Sequence, residues 1–66
     1  MENSIRVERA KKKLTQADLA KKVNMSRQSI HGIETNKNVP NLTTAMKIAK
    51  KLGVRVDEIF KLEETD

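Results

Sequence analysis

The sequence predicts an all-α fold of five short helices, for two reasons. Helix-breaking residues are few, since Gly32, Pro40 and Gly53 are the only glycines and proline among 66 residues. No alternating β-branched run exceeds a few residues, whereas apolar residues recur at helical spacing between good helix caps. The predicted helices span about residues 4–12, 16–23, 27–35, 42–52 and 56–60.

The first two helices differ in how clearly the sequence marks them. In the first, Val7, Ala10 and Leu14 follow helical spacing, but Ile5 lies outside that stripe. The second begins after Thr15, a good N-cap, with the Asp18 carboxylate favourably placed near the positive end of the helix dipole. Its inner face comprises Leu19, Ala20 and Val23.

The third helix follows after a very short turn. Asn24 tolerates the left-handed conformation that a sharp helix end requires, and Met25 is expected to turn inward. Ser26 is a good N-cap. Ile30 and Ile33 are three residues apart, so they make one apolar face and leave the opposite face of the helix polar.

The last two helices are bounded by strong local signals. Pro40 disfavours helix at the residue before it, Asn41 caps the fourth helix, and Gly53 ends it. The expected apolar stripe of the fourth helix comprises Leu42, Ala45, Met46, Ala49 and Leu52. The fifth helix carries Ile59 and Phe60, and an acidic tail follows at about residues 61–66.

Length and composition restrict the class of protein. We expect one domain over residues 1–66, with a thin core that self-association helps to stabilise. Cys is absent and His31 is the single histidine, so we expect no disulfide, no metal and no cofactor, and an enzyme is nearly excluded. No apolar stretch suggests a membrane span or signal peptide, so the expected location is the cytoplasm.

Charge is unevenly distributed along the chain. Residues 1–53 carry 12 Lys/Arg and 4 Asp/Glu, whereas residues 54–66 carry 2 and 5. A basic body attracts polyanions, and an acidic tail should face away from a nucleic acid. A merely soluble basic protein is the alternative interpretation of the charge.

The second and third helices have the spacing of a helix-turn-helix. Two short helices joined by residues 24–26 must cross steeply, because so short a joint cannot run them antiparallel. Such a crossing needs a small residue at the contact and a residue that tolerates positive φ in the turn, which Ala20 and Asn24 supply. Branched apolar residues, Ile30 and Ile33, would fix the second helix. An ordinary helical hairpin is the alternative.

Motifs along most of the chain carry a family resemblance. They are Leu14-Thr15-Gln16, Asp18-Leu19-Ala20, Met25-Ser26-Arg27-Gln28-Ser29-Ile30, Ile33-Glu34, Pro40, Leu42, Ala45, Ile48-Ala49, Leu52-Gly53-Val54 and Asp57-Glu58-Ile59-Phe60. Together they resemble the lambda-repressor and Cro-like, or Xre-type, helix-turn-helix regulators, in particular compact members without a ligand domain. The chain departs from the family pattern at Glu8, Asn38, Val39 and Arg55.

The resemblance implies that the third helix binds in the major groove of double-stranded DNA. The base-reading residues would be Arg27, Gln28 and His31. Arginine can donate two hydrogen bonds to guanine, and glutamine can pair with adenine, so Gln28 is the strongest single candidate. His31 could also be a pH sensor or an idle surface residue. Gly32 either lets the helix approach the groove or serves packing.

The same resemblance implies contacts to the DNA backbone. The residues are Thr15, Gln16, Ser26, Ser29, Lys37, Asn38 and Asn41. Gln16 would both touch the backbone and brace the recognition helix. Lys37 could instead be a solvated loop lysine, and the Lys11-Lys12-Lys13 run is either an edge contact to phosphate or a solvated face.

Glu34 is expected to serve structure, because an acid facing DNA would repel phosphate. The resemblance pairs it with Arg9, so the sequence predicts an ion pair that joins the first helix to the third.

Two functional hypotheses remain from the sequence. The first is a homodimeric transcriptional regulator, expected to be a repressor, that binds a palindromic operator through the major groove, with no small-molecule ligand evident from the sequence. Its dimer interface would comprise Val54, Val56, Ile59, Phe60 and Leu62. The second is an antitoxin or adaptor, a protein-interaction module for which DNA binding is secondary.

Overall fold

The computed structural model describes residues 2–63 and confirms the all-α class, because five helices dominate this range. The helices are α1 (Ile5–Lys11), α2 (Gln16–Lys22), α3 (Arg27–Glu34), α4 (Leu42–Leu52) and α5 (Val56–Ile59). Each lies within one residue of its predicted bounds at either end.

A short β ladder, which the sequence did not predict, ties the two ends of the described chain together. Strand β1 (Glu2–Asn3) pairs antiparallel with β2 (Phe60–Lys61). The predicted fifth helix is therefore one residue too long, because Phe60 has extended backbone and pairs with Asn3. Lys61, the first residue of the predicted acidic tail, pairs with Glu2 in this ladder, and residues 64–66 of that tail lie outside the described range.

The hydrophobic core is drawn from all five helices. Its fully buried large side chains are Ile5, Leu19, Ile30, Ile48, Leu52 and Ile59. Smaller buried side chains, Ala20, Ala45 and Ala49, let the helices approach closely. Every buried polar side-chain atom in residues 2–63 has a hydrogen-bond partner, as a stable core requires.

Two predicted apolar stripes are corrected. In α1 the buried residue is Ile5, at 0% exposure, whereas Val7 is 55% exposed. The reason is that α1 is held at its start, where the Ser4 N–H donates to the Ile59 carbonyl at 2.9 Å. In α4 the buried stripe includes Ile48, while Leu42 and Met46 are 71% and 53% exposed.

Four helices end in the same hydrogen-bonded turn. The residues in left-handed conformation are Lys13, Asn24, Asn36 and Gly53, with φ of 56°, 58°, 61° and 70°. In each turn the next amide donates to a carbonyl five residues earlier, as from Leu14 to Arg9 at 3.0 Å. These bonds satisfy carbonyls that the helix end would otherwise leave open.

Candidate nucleic-acid interface

The turn between α2 and α3 has the geometry that a helix-turn-helix requires. Asn24 adopts positive φ, as predicted, and the Met25 N–H donates to the Ala20 carbonyl at 2.8 Å. Ala20, Ile30 and Ile33 are 3%, 0% and 4% exposed. The inner face of α3 is therefore buried against the rest of the molecule, and its orientation is fixed by packing.

The N-terminus of α2 is held by a capping box. The Asp18 N–H donates to Thr15 Oγ1 at 3.0 Å, and the Thr15 N–H donates to Asp18 Oδ2 at 2.9 Å. The hydrogen bonds from the backbone and side chain of Thr15 lower the pKa of Asp18, and the Lys22 and Lys21 charges act in the same direction. Thr15, a predicted DNA contact, is thus first a structural cap.

Two further predicted DNA contacts also cap helices. Ser26 Oγ accepts from the Ser29 N–H at 3.0 Å at the start of α3, and Asn41 Oδ1 accepts from the Thr44 N–H at 2.8 Å at the start of α4. The Ser26 and Ser29 hydroxyl oxygens lie 2.8 Å apart. The amide group of Asn41 keeps its donors for an external acceptor.

The outer face of α3 carries the predicted base readers. Arg27, Gln28 and His31 are exposed, while Ile30 and Gly32, on either side of His31 in the sequence, are buried. Within residues 2–63 no hydrogen bond or ion pair occupies the side chains of Arg27 and Gln28. The structure therefore leaves this face open to a ligand.

His31 and Gln16 contact each other across the two helices. Gln16 Nε2 lies 3.2 Å from His31 Nδ1. The family resemblance predicts that Gln16 braces the recognition helix, and this is the contact through which it does so. The structure adds that the brace involves a predicted base reader.

A polar cleft opens beside this face, between α1 and α3. It has a volume of about 440 Å³ and is lined by Arg6, Arg9, Gln16, Arg27, His31, Glu34 and Thr35. Sequence reasoning missed Arg6. The signal that could have found it is its position three residues before Arg9, which places both side chains on one face of α1.

The predicted ion pair between α1 and α3 is present. Arg9 donates from Nε and from one terminal nitrogen to the two Glu34 oxygens, both at 3.0 Å. The other terminal nitrogen of Arg9 donates to the Leu14 carbonyl at 2.8 Å. The two side chains are 14% and 6% exposed, so the pair is largely removed from water.

The loop after α3 exposes Lys37 and Asn38. A Cβ built on Gly32 would clash with the Asn38 side-chain nitrogen. The Gly32 carbonyl also accepts from the Lys37 and Asn38 N–H groups, at 2.9 and 3.1 Å. Of the two interpretations of Gly32, these contacts favour packing, because the missing side chain makes room for the loop.

The predicted dimer patch needs one correction. Ile59 is 1% exposed because its side chain belongs to the core, so it cannot contribute surface to an interface. Val54, Val56 and Phe60 are half-buried, and Leu62 is 81% exposed. The first three border an open groove of about 560 Å³ to which the partly exposed Met46 of α4 also contributes.

Residues 2–63 contain neither a metal-binding cluster nor a membrane-spanning helix. No cluster of His, Cys, Asp and Glu there is arranged to hold a metal ion. No helix in that range is long and apolar enough to span a membrane.

Comparisons with known proteins agree with this geometry. The helix-turn-helix family model HTH_3 matches residues 5–59. An uncharacterized HTH-type transcriptional regulator of Methanocaldococcus jannaschii is 47% identical over 66 residues, covering 100% of both chains. The immunity repressor protein of Bacillus phage phi105 is 41% identical over 61 residues, which are 92% of this chain and 42% of the repressor. The multiprotein-bridging factor 1c of Arabidopsis thaliana is 44% identical over 48 residues, which are 73% of this chain and 32% of that protein.

Proposed function

The chain belongs to the HTH_3 helix-turn-helix family of transcriptional regulators, and from this premise we propose that it is a dimeric repressor that binds a palindromic DNA operator. The observation that carries the proposal is the polar face of α3, open to solvent on a helix whose other face is buried. The similarity to a phage immunity repressor supports repression.

Three residues of α3 would read base edges in the major groove. Arg27 is suited to guanine and Gln28 to adenine, because each can form two hydrogen bonds to that base. His31 would contact a neighbouring base while it is held by Gln16. Since Gln28 is exposed and has no partner of its own within residues 2–63, we assign it the largest share of sequence preference.

Backbone contacts would flank the groove on both sides. One set lies at the starts of α2 and α3 and comprises Thr15, Gln16, Ser26 and Ser29. The other lies beyond the end of α3 and comprises Lys37, Asn38 and Asn41. Hydroxyl, amide and ammonium groups are suitable donors to phosphate oxygens, and such contacts set the position of α3 without reading sequence.

Homodimerisation would use the apolar residues around the C-terminal groove. Val54, Val56 and Phe60 are half-buried around this groove and Leu62 is 81% exposed, so a second copy of the chain could cover them. A two-fold symmetric contact there would present two copies of α3 to half-sites about 34 Å apart.

An adaptor is the second candidate, and the likeness to a multiprotein-bridging factor favours it. In that case the C-terminal groove would bind a different protein. An adaptor does not require α3 to select a DNA sequence, so the two candidates differ in whether the chain enriches a consensus from random DNA.

The test is selection of bound sites from random duplex DNA with the wild type, with Gln28→Ala and with Lys47→Ala as control. We expect a two-fold symmetric consensus for the wild type. Gln28→Ala should relax one position per half-site at a cost of about 1–3 kcal/mol, whereas Lys47→Ala, on α4, should retain the consensus. Failure of the wild type to enrich any consensus would refute the proposal.

A further inference from the structure

We propose that the cleft between α1 and α3 binds one phosphate of the DNA backbone, and that Arg6 is the residue that holds it. This inference rests on the proposed function and extends the DNA-binding surface beyond the helix-turn-helix onto α1. Neither the family resemblance nor the sequence pattern assigned a role to Arg6.

The cleft lies next to the proposed DNA-binding surface. Three of its lining residues, Gln16, Arg27 and His31, also belong to the proposed DNA-binding surface. A duplex bound against Arg27 and His31 must therefore pass close to the cleft. Arg6, which is exposed, lines the same cleft from α1.

The cleft carries a net positive charge. Its one carboxylate, Glu34, is bound through both oxygens by Arg9 and is 6% exposed. The charge of Glu34 is thereby offset within the protein. Arg6 and Arg27 form no ion pair within residues 2–63, so the cleft presents two uncompensated guanidinium groups to solvent.

The cleft also contains hydrogen-bond donors that suit an anionic ligand. A guanidinium group can give two parallel hydrogen bonds to a phosphate, and the Arg6 group is free to do so. Gln16 Nε2 is held at 3.2 Å from His31 Nδ1, which leaves its second hydrogen for an acceptor in the cleft. These donors match an anionic oxygen ligand, and in a bound duplex the nearest such ligand is a phosphodiester.

The position of Arg6 on α1 indicates that it contacts the DNA backbone and not the bases. The major groove, about 12 Å wide, admits one helix, and α3 occupies it in the proposed complex. A side chain on α1 then meets the DNA strand at the edge of the groove. Arg6 should therefore add affinity equally for every sequence and add to the number of counterions released on binding.

The first test measures affinity for the selected operator by fluorescence anisotropy at 50, 100 and 200 mM salt. We expect Arg6→Ala to weaken binding of the dimer about tenfold at 100 mM salt. It should also make the slope of log K against log salt less steep by about 1.8, because each of the two half-sites loses one phosphate contact. The ratio of wild-type to Arg6→Ala affinity should then fall about 12-fold between 50 and 200 mM salt. Arg6→Lys should retain the wild-type slope, because it retains the charge.

Lys47→Ala is the matched control, since it removes one positive charge from a different cleft. Lys47 lies beside Lys22, Lys50 and Lys51, and no α3 residue lines that cleft. We expect its salt slope to equal that of wild type. Thermal unfolding of Arg6→Ala should coincide with that of wild type, because the side chain is exposed.

The second test replaces operator phosphates one at a time by uncharged methylphosphonates. Replacing one particular phosphate in each half-site should lower wild-type affinity by about as much as Arg6→Ala lowers affinity for the unmodified operator. The same replacement should leave the affinity of Arg6→Ala unchanged. The Arg6 assignment is overturned if Arg6→Ala matches Lys47→Ala, or if it relaxes preference at a base pair. If the wild type selects no sequence at all, the proposed function itself fails, independently of Arg6.

Discussion

Arg9 connects three parts of the molecule through one guanidinium group. It binds both oxygens of Glu34 on α3 and the carbonyl of Leu14, which precedes α2. All its nitrogen atoms therefore have partners, and Glu34 is nearly excluded from water. The contact joins α1 to α3 and keeps a negative charge away from the proposed DNA surface.

Removing one member of this pair should be costly, because the other would remain buried without its counter-charge. We expect Arg9→Ala or Glu34→Ala to lower the free energy of unfolding by about 3 kcal/mol. The double variant Arg9→Met with Glu34→Leu should lose much less, since no unpaired charge remains. Urea unfolding measures each value.

The chain contains a matched control for this prediction. Lys11 and Glu8 also form an ion pair, at 3.2 Å, but the Lys11 side chain is 66% exposed. Lys11→Ala should therefore cost less than about 0.5 kcal/mol. Equal losses for Arg9→Ala and Lys11→Ala would contradict the importance assigned to burial.

The sequence predicted individual site residues where a motif assigned them, and it missed one where geometry alone does. Arg9 with Glu34, and Gln16 as a brace, follow from the family pattern and are present in the structure. No motif marks Arg6, because the cleft that it lines lies between two helices and depends on the tertiary arrangement.

Helix ends were predictable because their signals are local. Caps at Thr15, Ser26 and Asn41 and the stop at Gly53 act within a few residues, and the structure shows each of them. The β ladder was not predictable in this way. It joins pairs such as Glu2 and Lys61, and two-residue strands are too short to show alternation.

The turn after α1 offers a test at the level of one element, because a lysine stands where glycine is usual. Lys13 has φ of 56°, a conformation in which a Cβ is unfavourable. We expect Lys13→Gly to raise the free energy of unfolding by about 0.5–1 kcal/mol, the relief of that strain exceeding the added flexibility of the unfolded chain. Urea unfolding measures the change.

The neighbouring Lys12 supplies the control for this substitution. It has φ of −99°, which every residue type tolerates, so Lys12→Gly brings no relief and should cost a few tenths of a kcal/mol or more. If Lys13→Gly were destabilising, or if both variants shifted stability equally, the left-handed turn would not be the source of strain.

The dimensions of the whole molecule bear on how it could bind an operator. The Cα atoms extend over 32 × 21 × 19 Å, and residues 2–63 contain one helix-turn-helix. Half-sites in successive major grooves lie about 34 Å apart, so a two-fold symmetric operator requires two copies. The apolar groove bordered by Val54, Val56 and Phe60 is the surface we assign to their contact.

For the molecule as a whole, the sequence indicated more apolar residues near the C-terminus than a thin core would bury, but it did not indicate which of them are buried. Ile59 and Val56 are three residues apart on one short helix, yet Ile59 is 1% exposed and Val56 is half-buried. A four-residue helix has too few positions for periodicity to define its inner face. Which residues of α5 are buried is therefore set by the tertiary contacts of this helix.

Leu62 gives the sharpest test of the proposed dimer, because a change there leaves the monomer core intact. Its side chain is 81% exposed, so Leu62→Glu should alter the free energy of unfolding of the monomer by less than about 0.5 kcal/mol. In a two-fold symmetric dimer two such carboxylates would be desolvated without a partner. At about 2 kcal/mol each the cost is about 4 kcal/mol, which weakens the dimer Kd about 1000-fold. Sedimentation equilibrium across micromolar concentrations measures this shift.

Val39→Glu introduces the same charge at a side chain that is 75% exposed between α3 and α4, and it should sediment as wild type does. Identical sedimentation of Leu62→Glu and wild type would remove Leu62 from the interface.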